Sequence, residues 1–162
     1  MTLKQYLSYA EDVFAPTEGL FRLVPAEKVD WKPVEKLFTC GQMMAHIAGA
    51  LDVYAHGIVN GSWGFSSMRE RFVRNRSTPT MSPDKAVREY AKNRQTFFSL
   101  VGGLSDKEFF EGEVPAPQFG KPTPRWRVGM LALEHHINHK AELFMYLKLI
   151  DVRVHTGHLY RG

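Results

Sequence analysis

The sequence predicts an all-α protein, a four-helix bundle with long crossover loops. Four long segments repeat apolar residues at helical spacing, and none alternates apolar and polar residues as a half-buried strand does. Two of the connections between these segments are long, as in bundles whose helices are joined by crossovers. A chain of 162 residues has the length of one ordinary domain. We therefore expect residues 1–162 to form a single bundle domain.

The first helix is expected to begin at Thr2 and to present one apolar stripe as far as Phe14. Pro16 then interrupts the helix, since proline has no backbone N–H to donate. The helix is expected to resume at Thr17, because a threonine side chain can cap a helix start. The connector that follows contains Trp31, which we expect to anchor this segment against the core.

The second and third helices have recognisable ends. The second is expected over about 39–60, because the pair Asn60-Gly61 is a typical stop signal. Small residues lie between its apolar positions and would let a neighbouring helix approach closely. The third is expected to start with Ser82 as its N-cap and Pro83 at its first position, and the pair Gly102-Gly103 is expected to end it.

The fourth helix, over about 125–150, is apolar on two faces at once. One face includes Tyr146, and the other includes Trp126 and Ile137. A helix of this kind is either central in the bundle or shared with a second subunit. The connection 62–81 has little apolar period and is expected to be a long loop, and such loops in compact domains are usually functional or mobile.

The charge balance argues against nucleic acid as a partner. The chain has 21 Lys plus Arg and 17 Asp plus Glu, a net charge of +4, whereas nucleic-acid binders of this size usually carry a denser basic patch. Glu70 interrupts a cluster of arginines, which we interpret as a solvated loop. Its members are Arg69, Arg71, Arg74 and Arg76.

Three features predict a cytoplasmic protein that does not bind a membrane. No apolar run approaches the roughly 18 residues of a membrane-spanning helix. The N-terminal sequence lacks the basic-then-apolar pattern of a secretory signal. Cys40 is the only cysteine, so the chain cannot form an intramolecular disulfide.

Three of the seven histidines are candidate metal ligands. His135 and His139 are spaced i, i+4 on the fourth helix, a spacing at which two imidazoles can hold one metal ion. His46 lies among apolar residues of the second helix and could meet that pair across the bundle. Three histidine ligands with an open position are typical of a catalytic metal site. His136 is the alternative to His135; we favour His135 because it points, with His139, along the face that carries Tyr146.

Each of these residues also has a structural interpretation. A pair of histidines at this spacing also occurs by chance, on a surface or within a packed core. A single interior histidine such as His46 is more often a hydrogen-bonded core residue than a metal ligand. We expect His56 to lie at the surface, and His155 and His158 to be solvated in the C-terminal tail.

The chain resembles the DinB/YfiT superfamily of metal-dependent bundle proteins. Residues 29–33 (VDWKP) look like that family's connector, and residues 44–48 (MAHIA) look like the helix that supplies its first metal ligand. Residues 135–148 resemble the family's run of His-x-x-x-His-Arg-Gly-Gln-Leu followed by Tyr-Leu-Arg. The closing residues 158–162 (HLYRG) are similar to its Leu-Tyr-Gly ending.

The resemblance implies an up-down-down-up bundle with His46, His135 and His139 as metal ligands, commonly in a homodimer. The characterised relatives are thiol-linked enzymes that transfer a low-molecular-weight thiol or isomerise a thiol adduct. This chain departs from the family where Arg-Gly-Gln becomes Lys140-Ala141-Glu142. Glu142 would either orient the imidazole of His139 or face a lysine on another helix.

These observations favour a divalent-metal-dependent enzyme, a thiol S-transferase or a related hydrolase. It would bind one divalent metal per chain, zinc or nickel before iron or manganese, since imidazole suits the first two. A small-molecule thiol and an electrophile would meet under the 62–81 connection, with Tyr54, Trp63 and Tyr146 as candidate walls. The alternative is a non-catalytic stress-response protein that binds a metal or another ligand.

Overall fold

The computed structural model describes residues 1–161 and is a helical bundle, as the sequence predicts. Its helices are α1 (Leu3–Phe14), α2 (Thr17–Arg22), α3 (Cys40–Asn60), α4 (Met68–Arg76), α5 (Pro83–Gly102), α6 (Asp106–Glu111) and α7 (Arg125–Leu149). Short 3₁₀ turns cover Ala26–Lys28 and Thr156–Leu159. The strands β1 (Glu113–Val114) and β2 (Thr123–Pro124) form a two-residue antiparallel pair in which Glu113 lies opposite Pro124.

The ends of the long helices confirm the predicted start and stop signals. The side chains of Thr2 and Thr39 each accept a hydrogen bond from the backbone N–H three residues on, and a glutamine there completes a capping box. The side chain of Ser82 likewise accepts a hydrogen bond from the backbone N–H three residues on, and Pro83 is the first residue of α5. Gly61 ends α3 in the left-handed conformation, with φ of 72°.

Pro16 divides the first helical segment at the predicted position. Thr17, however, does not cap the helix that follows. The backbone at Pro16 stays close to helical geometry, and α2 has no side-chain cap. The hydroxyl oxygen of Thr17 instead lies 2.8 Å from Nε2 of His136 on α7. Thr17 therefore contributes to a buried polar contact between α2 and α7.

The connection 62–81 differs from the long loop that the sequence predicts, because it contains α4. Ser67 caps this nine-residue helix, and none of its residues is buried. A helix without a buried face has no apolar stripe, so the periodicity of the sequence gives no sign of it. The short elements α6, β1 and β2 were missed for a related reason, since each is too short to show a period.

Helix α7 is central in the bundle. It packs against α3 and also contacts α1, α2 and α6. The second apolar face of α7, which carries Trp126 and Ile137, also includes Leu133 and Phe144. Leu133 and Phe144 are buried, whereas Trp126 and Ile137 are 37% and 39% exposed. The ring of Trp31 lies 5.8 Å from that of Tyr146 on α7, as expected for an anchor. No helix within residues 1–161 is long and apolar enough to cross a membrane.

Replacement of Gly57 by alanine should lower the free energy of unfolding. A Cβ at this position would lie 2.5 Å from ring atoms of Trp63. The indole cannot move freely, since its Nε1 donates a hydrogen bond to the carbonyl of Pro115 at 2.7 Å. Overpacking of this kind costs about 1–3 kcal/mol. Urea unfolding followed by circular dichroism measures the change.

Gly49→Ala is the matched control in the same helix. No described atom outside its own helical turn and neighbours lies within 4 Å of a Cβ built at Gly49. This variant should be more stable than the wild type by about 0.5–1 kcal/mol, because alanine favours the helix. Equal stability of Gly57→Ala and Gly49→Ala would show that Trp63 does not pack against α3 in this way.

Candidate metal centre

Helices α3 and α7 bring His46, His135 and His139 together. Nε2 of His46 lies 3.1 Å from Nε2 of His135. The ring centroid of His139 lies 4.6 Å from that of His46 and 4.4 Å from that of His135. One nitrogen from each ring can be chosen so that all three lie within 4.8 Å of one another. The three histidines singled out in the sequence therefore form one cluster.

Burial keeps two of these imidazoles neutral. It is the main cause that lowers the pKa of His46 to about 3 and that of His135 to about 2. Electrostatic repulsion from the neighbouring His139 ring and from the Arg71 guanidinium lowers both pKa values further. Neutral imidazole is the form that binds a metal ion, so this donor set suits a divalent cation near pH 7.

Glu142 contacts His139, one turn away on the same helix. Its carboxylate oxygen lies 2.7 Å from Nδ1 of His139, a distance at which the ring N–H donates to the carboxylate. This hydrogen bond leaves Nε2 as the nitrogen available to a ligand, and carboxylates commonly orient metal-binding histidines in this way. Of the two roles that the sequence left open for Glu142, the structure shows the contact with His139.

His136 lies outside the cluster, in the core on the other side of α7. Its Nε2 lies 2.8 Å from the hydroxyl of Thr17 and 3.2 Å from that of Tyr90. The Tyr90 hydroxyl in turn donates to the carbonyl of Phe14 at 2.9 Å. Burial lowers the pKa of His136 to about 3. His136 thus joins α1, α2 and α5 to α7.

The remaining histidines lie away from the cluster. His56 is partly exposed and lies 3.8 Å from Asp52, one turn earlier on α3. His155 is exposed, and its Nδ1 accepts a hydrogen bond from the backbone of Gly157. His158 is half-buried in the final 3₁₀ turn.

A cavity of about 350 Å³ borders all three clustered histidines. Its walls come from α3, α4, α7 and the connection between the two strands. Besides the histidines, its lining residues are Phe38, Tyr54, Met68, Arg71, Phe72, Asn75, Gln118 and Leu131. A small molecule in this cavity would therefore lie beside all three imidazoles.

The expected aromatic walls are only partly at this cavity. Tyr54 lines it, and its ring lies 5.3 Å from that of His135. Trp63 lines a neighbouring cavity of about 270 Å³ that also reaches His46. Tyr146 borders a different surface depression, formed with Leu37 and other residues.

The sequence analysis did not identify several residues that line the larger cavity, Phe38 and Gln118 among them. Phe38 immediately precedes the N-cap of α3, a position where an apolar residue often packs on the helix, so this signal was present. Its ring lies 5.2 Å from that of His46. Gln118 lies in the connection between the strands, where no periodicity distinguishes it from its neighbours.

Cys40 is unsuited to act as a nucleophile. It is the first residue of α3 and is fully buried. Burial raises the pKa of its thiol to about 11, so the thiol stays protonated near neutral pH. Because the thiolate is the reactive form, this thiol is a poor nucleophile.

The fold and the cluster define a class of protein: a helical bundle whose three histidines could bind a metal ion. Residues 10–143 match the family model of the DinB superfamily, and the chain belongs to this superfamily. This match confirms the resemblance to the DinB superfamily. Among curated proteins, none matches the chain.

Solved structures of DinB-like proteins share the fold over nearly the whole chain. One, from Bacillus subtilis, has a TM-score of 0.73 and 18% sequence identity, over 98% of this chain and 99% of the other. Another, from Bacillus cereus ATCC 10987, has a TM-score of 0.76 and 18% identity, over 95% and 96% of the two chains. At this identity, the likeness supports the four-helix bundle.

Proposed function

We propose that this protein is a divalent-metal-dependent enzyme, a thiol S-transferase or a related hydrolase, with His46, His135 and His139 as the metal ligands. The observation that carries the proposal is the cavity that borders all three imidazoles. A purely structural metal site is enclosed by its protein ligands, whereas a catalytic site stays accessible to an outside ligand. The small-molecule thiol and the electrophile would meet in this cavity.

The donor set supports one divalent metal per chain, zinc or nickel before iron or manganese. Imidazole suits zinc and nickel, while manganese prefers oxygen ligands. The cluster contains three imidazoles, and its carboxylate, Glu142, contacts Nδ1 of His139. Glu142 would therefore orient His139 for the metal, as outer carboxylates do in many histidine sites.

The proposed reaction is a nucleophilic transfer at sulfur. His46, His135 and His139 would hold a divalent ion through neutral nitrogens, and the charge of such an ion would lower the pKa of a thiol or water in the cavity towards neutrality. The thiol loses its proton to solvent, and a sulfur electron pair forms the new bond to the electrophile. The leaving group departs with the electron pair of the bond that breaks. Apolar walls such as Phe38 and Leu131 would limit the access of competing water.

We further propose a cytoplasmic homodimer. Leu37, Met145 and Leu149 form an exposed apolar depression at the surface of α7, each of them 49% to 58% exposed. Exposed apolar groups gathered in one place are typical of an interface. A single cysteine, fully buried, is suited to a reducing compartment.

Light scattering at micromolar concentration should give a mass of two chains, because a homodimer would bury the depression at Leu37, Met145 and Leu149. Met145→Lys should shift the protein towards one chain, since it would place a charge in the apolar interface. Lys107→Met, a change at an exposed residue of α6, is the control and should stay dimeric. A wild-type mass near that of one chain would refute the dimer.

Alanine at His46, His135 or His139 should abolish stoichiometric metal binding, because two imidazoles hold a divalent ion poorly. Elemental analysis of protein purified without a metal-affinity tag measures the metal content per chain. His136→Ala should lose stability but keep its metal, since His136 contacts Thr17 and Tyr90 instead. Loss of metal from His136→Ala, with retention in His135→Ala, would reverse the assignment.

Two further variants test the role of Glu142 in the same experiment. Glu142→Gln should weaken zinc affinity by about 10- to 100-fold, the usual effect of removing an outer carboxylate. Glu134→Gln removes the same charge from an exposed position of α7 and should leave the affinity unchanged. Equal affinities of these two variants would show that Glu142 does not support the metal.

Metal-loaded protein should accelerate thiol transfer, because the cavity brings both substrates to the ligands of the metal. The assay offers glutathione, bacillithiol and mycothiol with a panel of electrophiles and measures the rate above the uncatalysed reaction. Cys40→Ser should keep full activity, and His46→Ala should fall to the background rate. If no combination exceeds the background rate, a non-catalytic protein that binds a metal or another ligand becomes the better account.

A further inference from the structure

Arg71 differs from the other arginines of α4. Arg69, Arg74 and Arg76 are exposed, whereas Arg71 is half-buried. Its guanidinium carbon lies 5.9 Å from the ring centroid of Tyr54 and 5.6 Å from that of another aromatic ring. These contacts hold the cation against the wall of the site.

Arg71 has no carboxylate partner in the part of the chain that the structure describes, residues 1–161. Arg74, by contrast, lies 3.8 Å from Glu70. Arg71 lines both the 350 Å³ cavity and the neighbouring 270 Å³ cavity, and His46 lines both as well. A half-buried cation without an anion thus faces the space beside the histidines.

Gln118 supplies a second unpaired group in the larger cavity. Both amide atoms of its side chain are buried, and neither has a hydrogen-bond partner within residues 1–161. Buried polar atoms are nearly always paired in native proteins, because an unpaired one loses its hydration without compensation. A buried amide without a partner and a guanidinium without a carboxylate partner line the same cavity, which indicates a ligand that would bind both.

We propose that Arg71 and Gln118 form a carboxylate-binding subsite beside the three histidines. A guanidinium presents parallel N–H groups that match the two oxygens of a carboxylate, and the Gln118 amide can donate one more hydrogen bond. Among the described residues lining the larger cavity, Arg71 is the only one with a permanent charge. The planar fork of this guanidinium matches the two coplanar oxygens of a carboxylate.

This inference rests on the proposed function and narrows its substrate class: the thiol or its electrophilic partner carries a carboxylate within reach of Arg71. Binding rather than turnover tests it. Calorimetry of the zinc-loaded protein compares 3-mercaptopropionate with 3-mercaptopropionamide, which differ only in the carboxylate. The wild type should prefer the acid by about 10-fold or more, the usual effect of a charge-assisted pair.

Variants of Arg71 and of an exposed arginine show whether Arg71 causes the preference for the acid over the amide. Arg69→Gln removes the same charge from an exposed position of α4 and should keep the preference. Arg71→Gln should keep its zinc and lose the preference, and Arg71→Lys should keep only part of it, because lysine lacks the planar fork. If Arg71→Gln does not fold, Arg71→Lys and Gln118→Leu decide the question, and both should reduce the preference.

A second pair of probes locates the carboxylate on the other substrate. The affinity for benzoate is compared with that for benzamide while 2-mercaptoethanol, a neutral thiol, is present at a saturating concentration. Tighter binding of 3-mercaptopropionate than of 3-mercaptopropionamide places the carboxylate on the thiol substrate. Tighter binding of benzoate than of benzamide places it on the electrophile. Equal binding within both pairs, or a preference that survives in Arg71→Gln, would overturn the subsite.

The same measurements distinguish failure of the subsite from failure of the proposed function. Zinc binding with equal affinity for acid and amide would overturn the subsite alone. If the wild type binds none of zinc, nickel, iron and manganese, the proposed function fails, and benzoate against benzamide still tests Arg71 in the metal-free protein. A preference for benzoate that Arg71→Gln removes would then support the subsite as a binding site by itself.

Discussion

The alignment of α3 with α7 is the constraint on which the site depends. Arg125, the first residue of α7, donates hydrogen bonds to the carbonyls of Ile58 and Val59 at 3.0 and 3.3 Å. These carbonyls belong to the last turn of α3, which has no helical partners for them. At 1.5 Å per residue, His46 lies roughly 18 Å along α3 from Ile58, and His135 lies roughly 15 Å along α7 from Arg125. Joining the helices at this end therefore places the histidines at similar heights.

The polar residues of α7 explain how one helix can be buried on two sides. His135 and His139 face α3, while His136, between them, faces the hydroxyls of Thr17 and Tyr90. Lys140 is also buried, and its Nζ donates to the carbonyl of a residue in α1 at 2.7 Å. Burial lowers the pKa of Lys140 to about 8. Through the contacts of His136 with Thr17 and of Lys140 with α1, the second side of α7 packs against α1 and α2 of the same chain.

The 62–81 connection is attached to the bundle at both ends and lies over the site between them. At one end, Trp63 donates to the carbonyl of Pro115 at 2.7 Å. At the other end, the side chain of Gln42 donates to the carbonyl of Thr78 at 2.9 Å. Helix α4 lies between these attachments without a buried residue. The fixed ends, rather than a core of its own, hold α4 where it lines the cavity.

Features that depend on neighbouring residues could be predicted from the sequence alone. Apolar periods, capping residues and the Asn60-Gly61 stop predicted the long helices, and the i, i+4 spacing of His135 and His139 predicted that two imidazoles share a face. These features involve residues at most a few turns apart, so a linear pattern contains them. His46 was a candidate for the same reason, as a polar residue within an apolar helix.

Contacts between residues far apart in the chain became known from the packing of the helices. The helix α4 has no apolar stripe, Gln118 lies in an aperiodic connection, and nothing in the sequence shows that Thr17 would contact His136. Glu142 was equally suited to His139 or to a lysine elsewhere until the positions of the helices were known. The physical reason is the same in each case: contacts across the bundle are set by how helices pack and by where connections attach, and a single sequence shows neither directly.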